Sequence, residues 1–550
     1  MKKSLLFFIM LFTSVILKAQ FVIDWQQCYG GENNDEAHGI VQVGDGFLVS
    51  GTSRYTNSGM VDCDFGNYTG GAWLIKINNN TDLKWSTCYT SSVYGINRYT
   101  NDSPIYTFGG GAFPETGKTG LGIRRIDESG NTIWERIVGA PDHDFNHGVG
   151  ALATSDDGVL GWANPLFTGG DISHAYGHCD GWLIKLDSLG NMEWEVTLGT
   201  DETDVIYGSC ETSDEGFLVF MQSLAGGMSG SIYPCKPETN MYDAMLVKVD
   251  EDGEIEWNRC YGGKESDQLN IGIEINEGYL MVGTSSSDDG DLEGAGYHLG
   301  YVNMQMQQKS SDIWLLRLDY DGNVVWSRCY GGSGIDIPIR VFQNEDGGFT
   351  VFAQSASLNG DVQSAAHWGI SQGHELNNYW VFRTDSDGNL LWERAIGSRN
   401  GAREELNAVV KHNDREYTLA GFAPNWSSFM YDLYHGDITC SNNYLCGEPG
   451  SAVYWIVHIR DVFDYDAVDE NVCDKQEPFN VFPIPAKDVI TVRGSEDTFH
   501  YSIFNAIGQK VAQGSAQGEQ QINVASISKG IYFIRFTNGT QTCVKKIVLE

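Results

Sequence analysis

The sequence predicts an all-β protein: a seven-bladed β-propeller closed by its N-terminal strand, followed by a small Ig-like β-sandwich. Three observations support this fold class. A tryptophan-anchored unit recurs seven times, one strand of each unit is almost continuously apolar, and the last unit lacks a strand that is present near the start of the chain. This combination is typical of β-sheets that stack around a common axis.

The repeated unit is clearest where Trp257-Asn-Arg-Cys-Tyr-Gly-Gly263 and Trp326-Ser-Arg-Cys-Tyr-Gly-Gly332 match Trp25-Gln-Gln-Cys-Tyr-Gly-Gly31. Weaker copies complete a series of seven tryptophans, spaced 49 to 69 residues apart. We expect these residues to form a repeated core between blades, because one tryptophan can bury about 150–250 Å². The series is Trp25, Trp85, Trp134, Trp194, Trp257, Trp326 and Trp392.

Each unit contains four short strands. A tight turn joins the first two, as in Gly44-Asp-Gly-Phe-Leu-Val-Ser50, and its glycine supplies the positive φ that hairpin turns need. A third strand such as Trp182-Leu-Ile-Lys-Leu186 follows a long loop, and a turn such as Asp187–Asn191 leads into the next tryptophan strand. Since the third strand does not alternate apolar with polar residues, we expect neighbouring sheets to cover both of its faces.

The ends of the array predict a closed ring. The seventh unit runs from Trp392 to a third strand, Tyr454-Trp-Ile-Val-His-Ile459, and no tryptophan strand follows it. The missing fourth strand is present as Phe21–Tyr29, so we expect the N-terminus to complete the last blade. An open solenoid is the alternative, but it would need capping units.

Composition limits the partners. The 550 residues include 73 acidic and 35 basic side chains, for a formal net charge of -38. A field of this sign repels nucleic acid and anionic lipid, so we expect neither as a partner. It attracts cations, although an acidic surface also serves solubility alone.

The first residues are typical of a secretory signal, with Lys2 and Lys3 before an apolar core at Leu5–Leu17 and a small residue at Ala19. We therefore expect residues 1–19 to be removed on export. No other stretch approaches the length of a membrane span, so no integral span is expected. The predicted organisation is a signal peptide at 1–19, a propeller at 21–460, an acidic linker at 461–478 and a C-terminal module at 479–550.

Export makes disulfides available to the twelve cysteines. Cys440 and Cys446 lie in one loop containing Gly and Asn, and we favour them as a disulfide pair. Another set recurs at one position of the repeat, where we expect buried strand side chains: Cys28, Cys88, Cys260 and Cys329. No CxxC pair occurs, which disfavours a zinc module.

The units from about Phe21 to Arg460 resemble the Gly- and Asp-rich repeats common in secreted proteins of the Bacteroidetes group, and more loosely kelch and quinoprotein propeller repeats. This resemblance implies a propeller fold and little about function. It does not imply a quinone cofactor, because the shared Asp-x-x-Gly-x-x-x-Trp run is a blade-packing element.

The C-terminal module resembles the sorting domain that the type IX secretion system recognises. Four segments carry the resemblance: Val481-Phe-Pro-Ile-Pro-Ala-Lys-Asp488, Tyr501-Ser-Ile-Phe-Asn-Ala-Ile-Gly-Gln-Lys-Val511, Gly530-Ile-Tyr-Phe-Ile-Arg535 and Lys545-Lys-Ile-Val-Leu549. The family usually has Asn where this chain has Ile484. The motif residues are Pro483, Pro485, Ala486, Gly508, Gly530, Tyr532, Lys545 and Lys546.

The sorting resemblance implies a route and a destination. The type IX machinery would be a partner, and the protein would pass through the periplasm and be secreted or attached to the outer-membrane surface. Such a module is normally removed when the cargo is released or attached to surface lipopolysaccharide. An Ig-like domain without a sorting role is the alternative.

The long, variable loops between second and third strands are expected to share one face, where we place any ligand. Several are acidic, and Asp288, Asp289 and Asp291 are candidate Ca²⁺ ligands, with solvated turn residues favoured over a metal role. A transition-metal site in the loop with His174, His178, Cys179 and Asp180 is disfavoured. Loop aromatics that could stack on sugar rings or pack the loops together are Tyr297, Trp368, Trp426 and Phe429.

No catalytic motif is present, neither GxSxG nor HExxH, and we name no catalytic residue. The sequence therefore favours a non-catalytic protein that binds glycan or protein and needs no cofactor. A secreted hydrolase of polysaccharide or peptide, with its site on the long-loop face, is the alternative, because abundant Asp and Glu could supply a carboxylate pair.

Overall fold

A computed structural model gives the fold. It describes residues 17–18, 21–31, 34–54, 60–61, 71–89, 93–113, 118–139, 147–166, 168–224, 230–235, 242–303, 308–364, 378–397, 404–424, 452–461, 480–482, 486–487, 489–493, 498–505, 510–525, 527, 530–538 and 541–549. The chain forms two compact units, Val22–Arg460 and a second one that contains Asp461–Glu550.

The larger unit consists of repeated four-stranded sheets, and its described residues contain seven of them. We number them in chain order, each with its strands in order from first to fourth. Sheets 1 to 3 are Asp35–Val43, Gly46–Ser53, Gly71–Asn78, Leu83–Tyr89; Gly95–Asn97, Ile105–Phe113, Lys118–Ile126, Thr132–Val138; and His147–Ala153, Val159–Asn164, Gly181–Leu186, Met192–Leu198. Sheets 4 and 5 are Asp204–Glu211, Phe217–Leu224, Tyr242–Val249, Ile255–Tyr261; and Asp267–Ile275, Gly278–Ser285, Asp312–Leu318, Val324–Tyr330.

Sheets 6 and 7 complete the series. They are Asp336–Gln343, Phe349–Ser355, Asn378–Thr384, Leu390–Ile396; and Glu405–Asn413, Glu416–Pro424, Ala452–Asp461, Phe21–Tyr29. The fourth strand of sheet 7 is therefore the N-terminal strand, hydrogen-bonded to Ala452–Asp461. The loop between the second and third strands of sheet 5 adds a hairpin, Tyr301–Asn303 with Gln308–Lys309, and a 3₁₀ turn at Gly290–Leu292. Leu17–Lys18 is a further two-residue strand.

The sheets close into a ring. The first strand of each sheet contacts the first strands of the sheets before and after it, and the first strand of sheet 7 contacts that of sheet 1. One bond across this junction runs from Asn407 Nδ2 to the carbonyl oxygen of Ala37, at 2.8 Å. The predicted β-propeller with its N-terminal closing strand is confirmed, and the first strands form its inner wall.

Five of the six fully buried tryptophans among the described residues lie in third strands, and the sixth is Trp392 of a fourth strand. Of the seven tryptophans expected to form a repeated core, Trp392 is buried, and the other six are half-buried and pack against the hydrophobic clusters of the sheets. Neighbouring sheets cover both faces of the third strand. The fourth strand lies at the outer edge of its sheet and has a hydrogen-bonded neighbour on one side only. The third-strand tryptophans are Trp73, Trp182, Trp314, Trp380 and Trp455, each 0% exposed.

The fourth-strand tryptophans instead join neighbouring sheets. Trp134 Nε1 of sheet 2 donates to the carbonyl of Ser188 in the turn between the third and fourth strands of sheet 3, at 3.0 Å. The same bond recurs from Trp194 to Glu251 and from Trp326 to Ser386. The Asp-x-x-Gly-Asn turn is thus the surface on which the tryptophan of the preceding sheet rests.

The recurring cysteines were expected to be buried strand side chains, and Cys28 and Cys329 are buried whereas Cys88 and Cys260 are half-buried. Cys260 forms a disulfide with Cys235 of the same sheet, and Cys28 and Cys88 are disulfide-bonded too. Cys329 is a buried free thiol, as expected. The repeat position brings the fourth-strand sulfur under the loop that precedes the third strand, where a loop cysteine can reach it. The favoured pair Cys440 and Cys446 lies outside the described residues.

The C-terminal unit is a two-sheet β-sandwich. A three-stranded sheet contains Asn480–Phe482, Val489–Arg493 and Glu519–Asn523. A four-stranded sheet contains, in spatial order, Lys510–Ala516, Phe499–Asn505, Gly530–Asn538 and Gln541–Leu549. Its core is apolar and enclosed. Seven of its side chains are 0% exposed: Ile490, Val492, Phe499, Ile503, Ile534, Phe536 and Ile547. The small Ig-like sandwich is confirmed.

Candidate functional site

The strand order divides the propeller into two faces. Each first strand runs from the linker that precedes its sheet, so those linkers and the loops between second and third strands emerge on one side. We call this side the long-loop face. The opposite side contains the turns between first and second and between third and fourth strands. Insertions thus collect on one face, which is the usual place for ligand binding in repeat proteins.

Long loops are fastened to the sheet before them by a repeated contact, which we call the loop clasp. The backbone N–H of one loop residue donates to the carbonyl of the glycine that ends the preceding fourth strand, as from Asp291 to Gly262 at 3.1 Å. In return Asp291 Oδ2 accepts from the Gly262 N–H, at 3.0 Å. The other clasp residues are Met60, Asp171, Ser231 and Asp361, which donate to Gly30, Gly139, Gly199 and Gly331.

The three candidate Ca²⁺ ligands lie in the loop that this clasp fastens to sheet 4. Asp291 is the clasp residue, Asp289 accepts from Lys264 through both its backbone N–H and its ammonium group, and Asp288 is exposed. The Lys264 ion pair lowers the pKa of Asp289. Within the described ranges no group of three or more His, Cys, Asp or Glu side chains is positioned to hold a metal ion. The contacts of the clasp explain why Gly-Asp recurs in these loops, and they require no bound ligand.

The histidine-containing loop also has local partners. His174 Nδ1 lies 2.7 Å from Ser173 Oγ, and Asp180 Oδ2 accepts from the backbone N–H of Tyr176 at 2.7 Å. Cys179 is buried, and this burial raises the pKa of its thiol to about 11. A thiol of this kind is a poor nucleophile and a poor metal ligand at neutral pH.

A buried aspartate begins the first strand of four sheets. Each accepts a hydrogen bond from the backbone N–H four residues earlier, in the linker, at 2.6 to 3.0 Å. Burial raises the pKa of three of them to about 6 and that of the fourth in the same direction. We call these the linker aspartates: Asp35, Asp204, Asp267 and Asp336.

The linker aspartates predict an unusual pH dependence of stability. Because the pKa of Asp336 is raised in the folded state, its contribution is fully present below about pH 4 and is lost as pH rises through about 6. Asp336→Asn keeps the acceptor for Gly332 and Ser357 without a buried charge. We expect it to add about 1–3 kcal/mol to the free energy of unfolding at pH 7.5 and almost nothing at pH 4.

Thermal or denaturant unfolding of wild type and Asp336→Asn across pH 4 to 8 checks this expectation. Asp252→Asn, at an exposed turn position, is the matched control and should leave the profile unchanged. A destabilisation by Asp336→Asn that is constant with pH would contradict it.

A groove lies between sheets 4 and 5. It has a volume of about 450 Å³. The fourth strand of sheet 4 forms one wall, the turn at Gly322–Val324 of sheet 5 forms the other, and two long loops supply Tyr233 and Asp291. We call it the rim groove, lined by Tyr233, Pro234, Cys235, Asn258, Arg259, Cys260, Tyr261, Asp291, Gly322, Asn323 and Val324.

Tyr233 is the most exposed large apolar side chain of the described residues, at 82%. Its backbone is nevertheless fixed. Asn258 Oδ1 accepts from the Tyr233 N–H at 3.1 Å, Asn258 Nδ2 donates to the Tyr233 carbonyl at 2.8 Å, and the Cys235–Cys260 disulfide follows two residues later. An aromatic ring held in solvent by a rigid backbone loses little entropy on binding.

The polar groups of the rim groove are also positioned. Arg259 Nη1 donates to Asn323 Oδ1 at 2.8 Å, and Tyr261 donates to the carbonyl of Gly322 at 2.7 Å. Burial raises the pKa of Tyr261, so its hydroxyl remains a donor at any physiological pH. The groove thus offers an aromatic face beside guanidinium, amide and carboxylate groups. Such a set suits a neutral ligand with many hydroxyl groups.

The sequence did not identify the rim groove. Of the loop aromatics it singled out, Tyr297 is half-buried and donates to the carbonyl of Ser310, at 2.9 Å. Trp368, Trp426 and Phe429 lie outside the described residues. The one usable signal was Cys235, a loop cysteine in the same repeat as Cys260 and two residues after Tyr233.

The sorting motif residues fall into three groups. Ala486 and Tyr532 are buried in the sandwich core, at 1% and 6% exposure. Gly530 begins the strand Gly530–Asn538, and Lys545 and Lys546 lie in the last strand, paired with Ile534 and Phe533. Pro483, Pro485 and Gly508 lie outside the described residues. The described members thus belong to the four-stranded sheet or to the core beneath it.

Comparison with known proteins identifies the C-terminal module. Residues 480–550 match the family described as the secretion system C-terminal sorting domain. A comparison with curated protein sequences finds no significant match. None of the helices in the described part of the chain has the length and apolar character needed to cross a membrane.

Solved structures similar to the chain include three propeller or secretion proteins. BamB from Moraxella catarrhalis is 12% identical over 79% of this chain and 99% of that chain, with a TM-score of 0.35. The WD40 β-propeller domain of Doa1 is 10% identical over 80% and 97%, with a TM-score of 0.38. PorZ, a surface component of the type IX secretion system of Porphyromonas gingivalis, is 10% identical over 93% and 75%, with a TM-score of 0.23.

The sheets of this chain itself establish its fold, and its C-terminal module indicates the route of export. The chain is a β-propeller followed by a C-terminal sorting domain of the type IX secretion system, and it is exported to the cell surface or beyond.

Proposed function

We propose that the propeller is a non-catalytic binding module, that its ligand is a glycan and that the rim groove binds it. The proposal includes a cleaved signal at residues 1–19, which lie almost entirely outside the described residues. The exported protein then presents the groove outside the cell, released or attached to the outer-membrane surface.

One observation carries the proposal: Tyr233 is 82% exposed on a backbone that a disulfide and two hydrogen bonds hold in place. A large apolar ring in water has no folding role that would explain such support. Tyrosine combines an apolar face with a hydroxyl and loses little conformational entropy, which is why it is common at binding surfaces.

The chemistry of the groove favours a sugar over a charged ligand. Arg259 already donates to Asn323, and Asp291 already accepts from Gly262, so each charged group already has a hydrogen-bond partner within the protein. The remaining donors and acceptors are those of amides and hydroxyls, which match the hydroxyl groups of a sugar. The face of Tyr233 beside them can cover the apolar face of a sugar ring.

The same groove is unsuited to hydrolysis. Glycoside hydrolysis uses two carboxyl groups on either side of the scissile bond. Asp291 is the single carboxylate among the residues that line the rim groove, and its Oδ2 is bonded to a backbone N–H. We therefore propose binding without turnover.

Glycan binding by the purified mature protein tests the proposal. Tyr233→Ala should weaken binding about 10- to 100-fold, the range expected when a central aromatic contact is removed. Tyr99→Ala, at a 51% exposed tyrosine in sheet 2 that does not line the groove, should leave binding unchanged. Both variants should unfold at the wild-type temperature.

Two outcomes would overturn the proposal. One is glycan binding that Tyr233→Ala does not alter, which would place the site elsewhere. The other is turnover of a polysaccharide or peptide that a single loop-carboxylate substitution abolishes. If the rim groove binds a protein and no glycan, the proposed glycan ligand is wrong and the ligand is a protein.

A further inference from the structure

A second cavity lies in the inner wall of the propeller. It uses the first strand of sheet 4, whereas the rim groove uses the fourth strand of that sheet. It has a volume of about 260 Å³ and is bounded by the first strands of sheets 3 and 4 and by the second strands of sheets 2 and 3. We call it the channel cleft. Its lining consists of Phe108, Gly148, Val149, Gly150, Trp162, Val205, Ile206 and Tyr207.

Two glycines create the cleft. A Cβ at Gly150 would lie 2.1 Å from the ring of Trp162, so the indole lies directly against the backbone of the neighbouring strand. A Cβ at Gly148 would meet nothing within 4 Å, so the wall is open there. The first strand of sheet 3 therefore leaves an opening at Gly148, beside the close contact of Gly150 with Trp162.

The walls of the gap are rigid. Asn164 is fully buried, its Nδ2 donates to the carbonyls of Gly148 and Ile206 at 3.0 and 3.1 Å, and its Oδ1 accepts from the Ile206 N–H at 2.7 Å. These bonds tie the first strands of sheets 3 and 4 together. Tyr207 is 40% exposed and donates to Gln222 Oε1 at 3.2 Å, which orients its ring.

The lining determines the kind of ligand. Three of its residues are aromatic, Phe108, Trp162 and Tyr207, and none of the eight carries a charge. Aromatic rings attract compact cations through their negative faces, most strongly where water is excluded. The protein as a whole has a formal net charge of -38, which raises the local concentration of cations and lowers that of anions.

We propose that the channel cleft binds a compact alkylammonium group of the choline type, as a free small solute. A quaternary ammonium has apolar methyl groups that suit Val149, Val205 and Ile206 and a diffuse charge that suits the aromatic rings. A free small solute can fit a cleft of about 260 Å³, whereas a bilayer surface cannot. The site and its ligand class are independent of the rim groove.

Calorimetric titration of the full-length protein with choline chloride is the test. Trp162→Leu should weaken binding about tenfold or more, because the largest aromatic face is lost. Trp134→Leu, at a half-buried tryptophan outside the cleft, should leave the affinity unchanged. Tyr207→Leu provides a second variant at a partly exposed position, in case Trp162→Leu does not fold.

The charge dependence separates this proposal from plain apolar binding. The neutral isostere 3,3-dimethylbutan-1-ol should bind at least about tenfold more weakly than choline. Equal affinities of the two compounds, no heat with choline, or unchanged choline binding in both Trp162→Leu and Tyr207→Leu would overturn the proposal. Binding of phosphatidylcholine vesicles in place of free choline would overturn the assignment to a free solute.

Discussion

Deletion of Phe479–Glu550 should remove the protein from the cell surface and the medium and leave it in the periplasm. The deleted part is a separate compact unit with its own apolar core, and residues 480–550 match the sorting family. The propeller keeps all seven of its described sheets, because none of their strands comes from the deleted residues. Cell fractionation and immunodetection with an antibody to the propeller measure the change.

Two controls separate sorting from folding. The truncated protein, purified, should unfold at the temperature of the intact propeller, which shows that export and not stability is lost. Ile534→Asp, which introduces a charge at a fully buried position of the sandwich, should reproduce the export defect. Wild-type amounts of the truncated chain at the surface would show that sorting information lies elsewhere.

Removal of Phe21–Tyr29 should destabilise the whole propeller, although it shortens the chain at one end only. The strand pairs with Ala452–Asp461 and is locked at several points. Arg460 donates to both carboxylate oxygens of Asp24 at 2.9 Å, Trp455 Nε1 donates to Gln26 Oε1 at 2.9 Å, and Trp25 stacks on His458 at 5.3 Å. The Arg460 bond lowers the pKa of Asp24, which keeps the pair charged.

The same strand also fastens sheet 7 to sheet 1. Tyr29 is buried, at 2% exposure, and its hydroxyl donates to the carbonyl of Thr81 at 2.6 Å. Since burial of one large side chain contributes about 1.5–3 kcal/mol, loss of the strand should cost at least about 5 kcal/mol of unfolding free energy. Chemical denaturation followed by tryptophan fluorescence measures this loss.

A circular permutant provides the decisive control. The permutant begins after Tyr29 and carries Phe21–Tyr29 after Arg460 through a short Gly/Ser linker. It should recover most of the lost stability, since ring closure needs the strand and not its position in the chain. Cys28→Ser in the intact chain gives the share due to the disulfide of Cys28. A deletion variant as stable as wild type would contradict closure by this strand.

The repeat pattern made much of the fold predictable. Tryptophan spacing, Asp-Gly turns and apolar third strands are local signals, and each arises from a backbone or burial requirement of a single sheet. The missing fourth strand after Arg460 then identified Phe21–Tyr29 as its replacement. The C-terminal sandwich was predictable for the same reason, together with its sorting motifs.

Roles that depend on two sheets were harder to predict. The tryptophans of the fourth strand are conspicuous in the sequence, yet six of the seven are half-buried, whereas the third-strand tryptophans are fully buried. Asp291 was a disfavoured candidate for binding Ca²⁺, and the sequence did not show that its carboxylate accepts from the N–H of Gly262 in a loop clasp. Three of the four linker aspartates follow a Gly-Gly-x-x-x-Asp spacing in the sequence, but the role of these carboxyl groups depends on their burial at a junction between sheets.

The sequence by itself therefore determined the composition of the array: its units, its closing strand, its separate sorting module and the face on which loops accumulate. Only the tertiary structure decided which side chains are buried, which carboxylates are bonded and where cavities form. The physical reason is that periodicity and turn chemistry act within one sheet, through neighbours in the chain. The rim groove, the channel cleft and the linker aspartates arise between sheets, from residues such as Tyr233 and Asn258 that no local pattern relates.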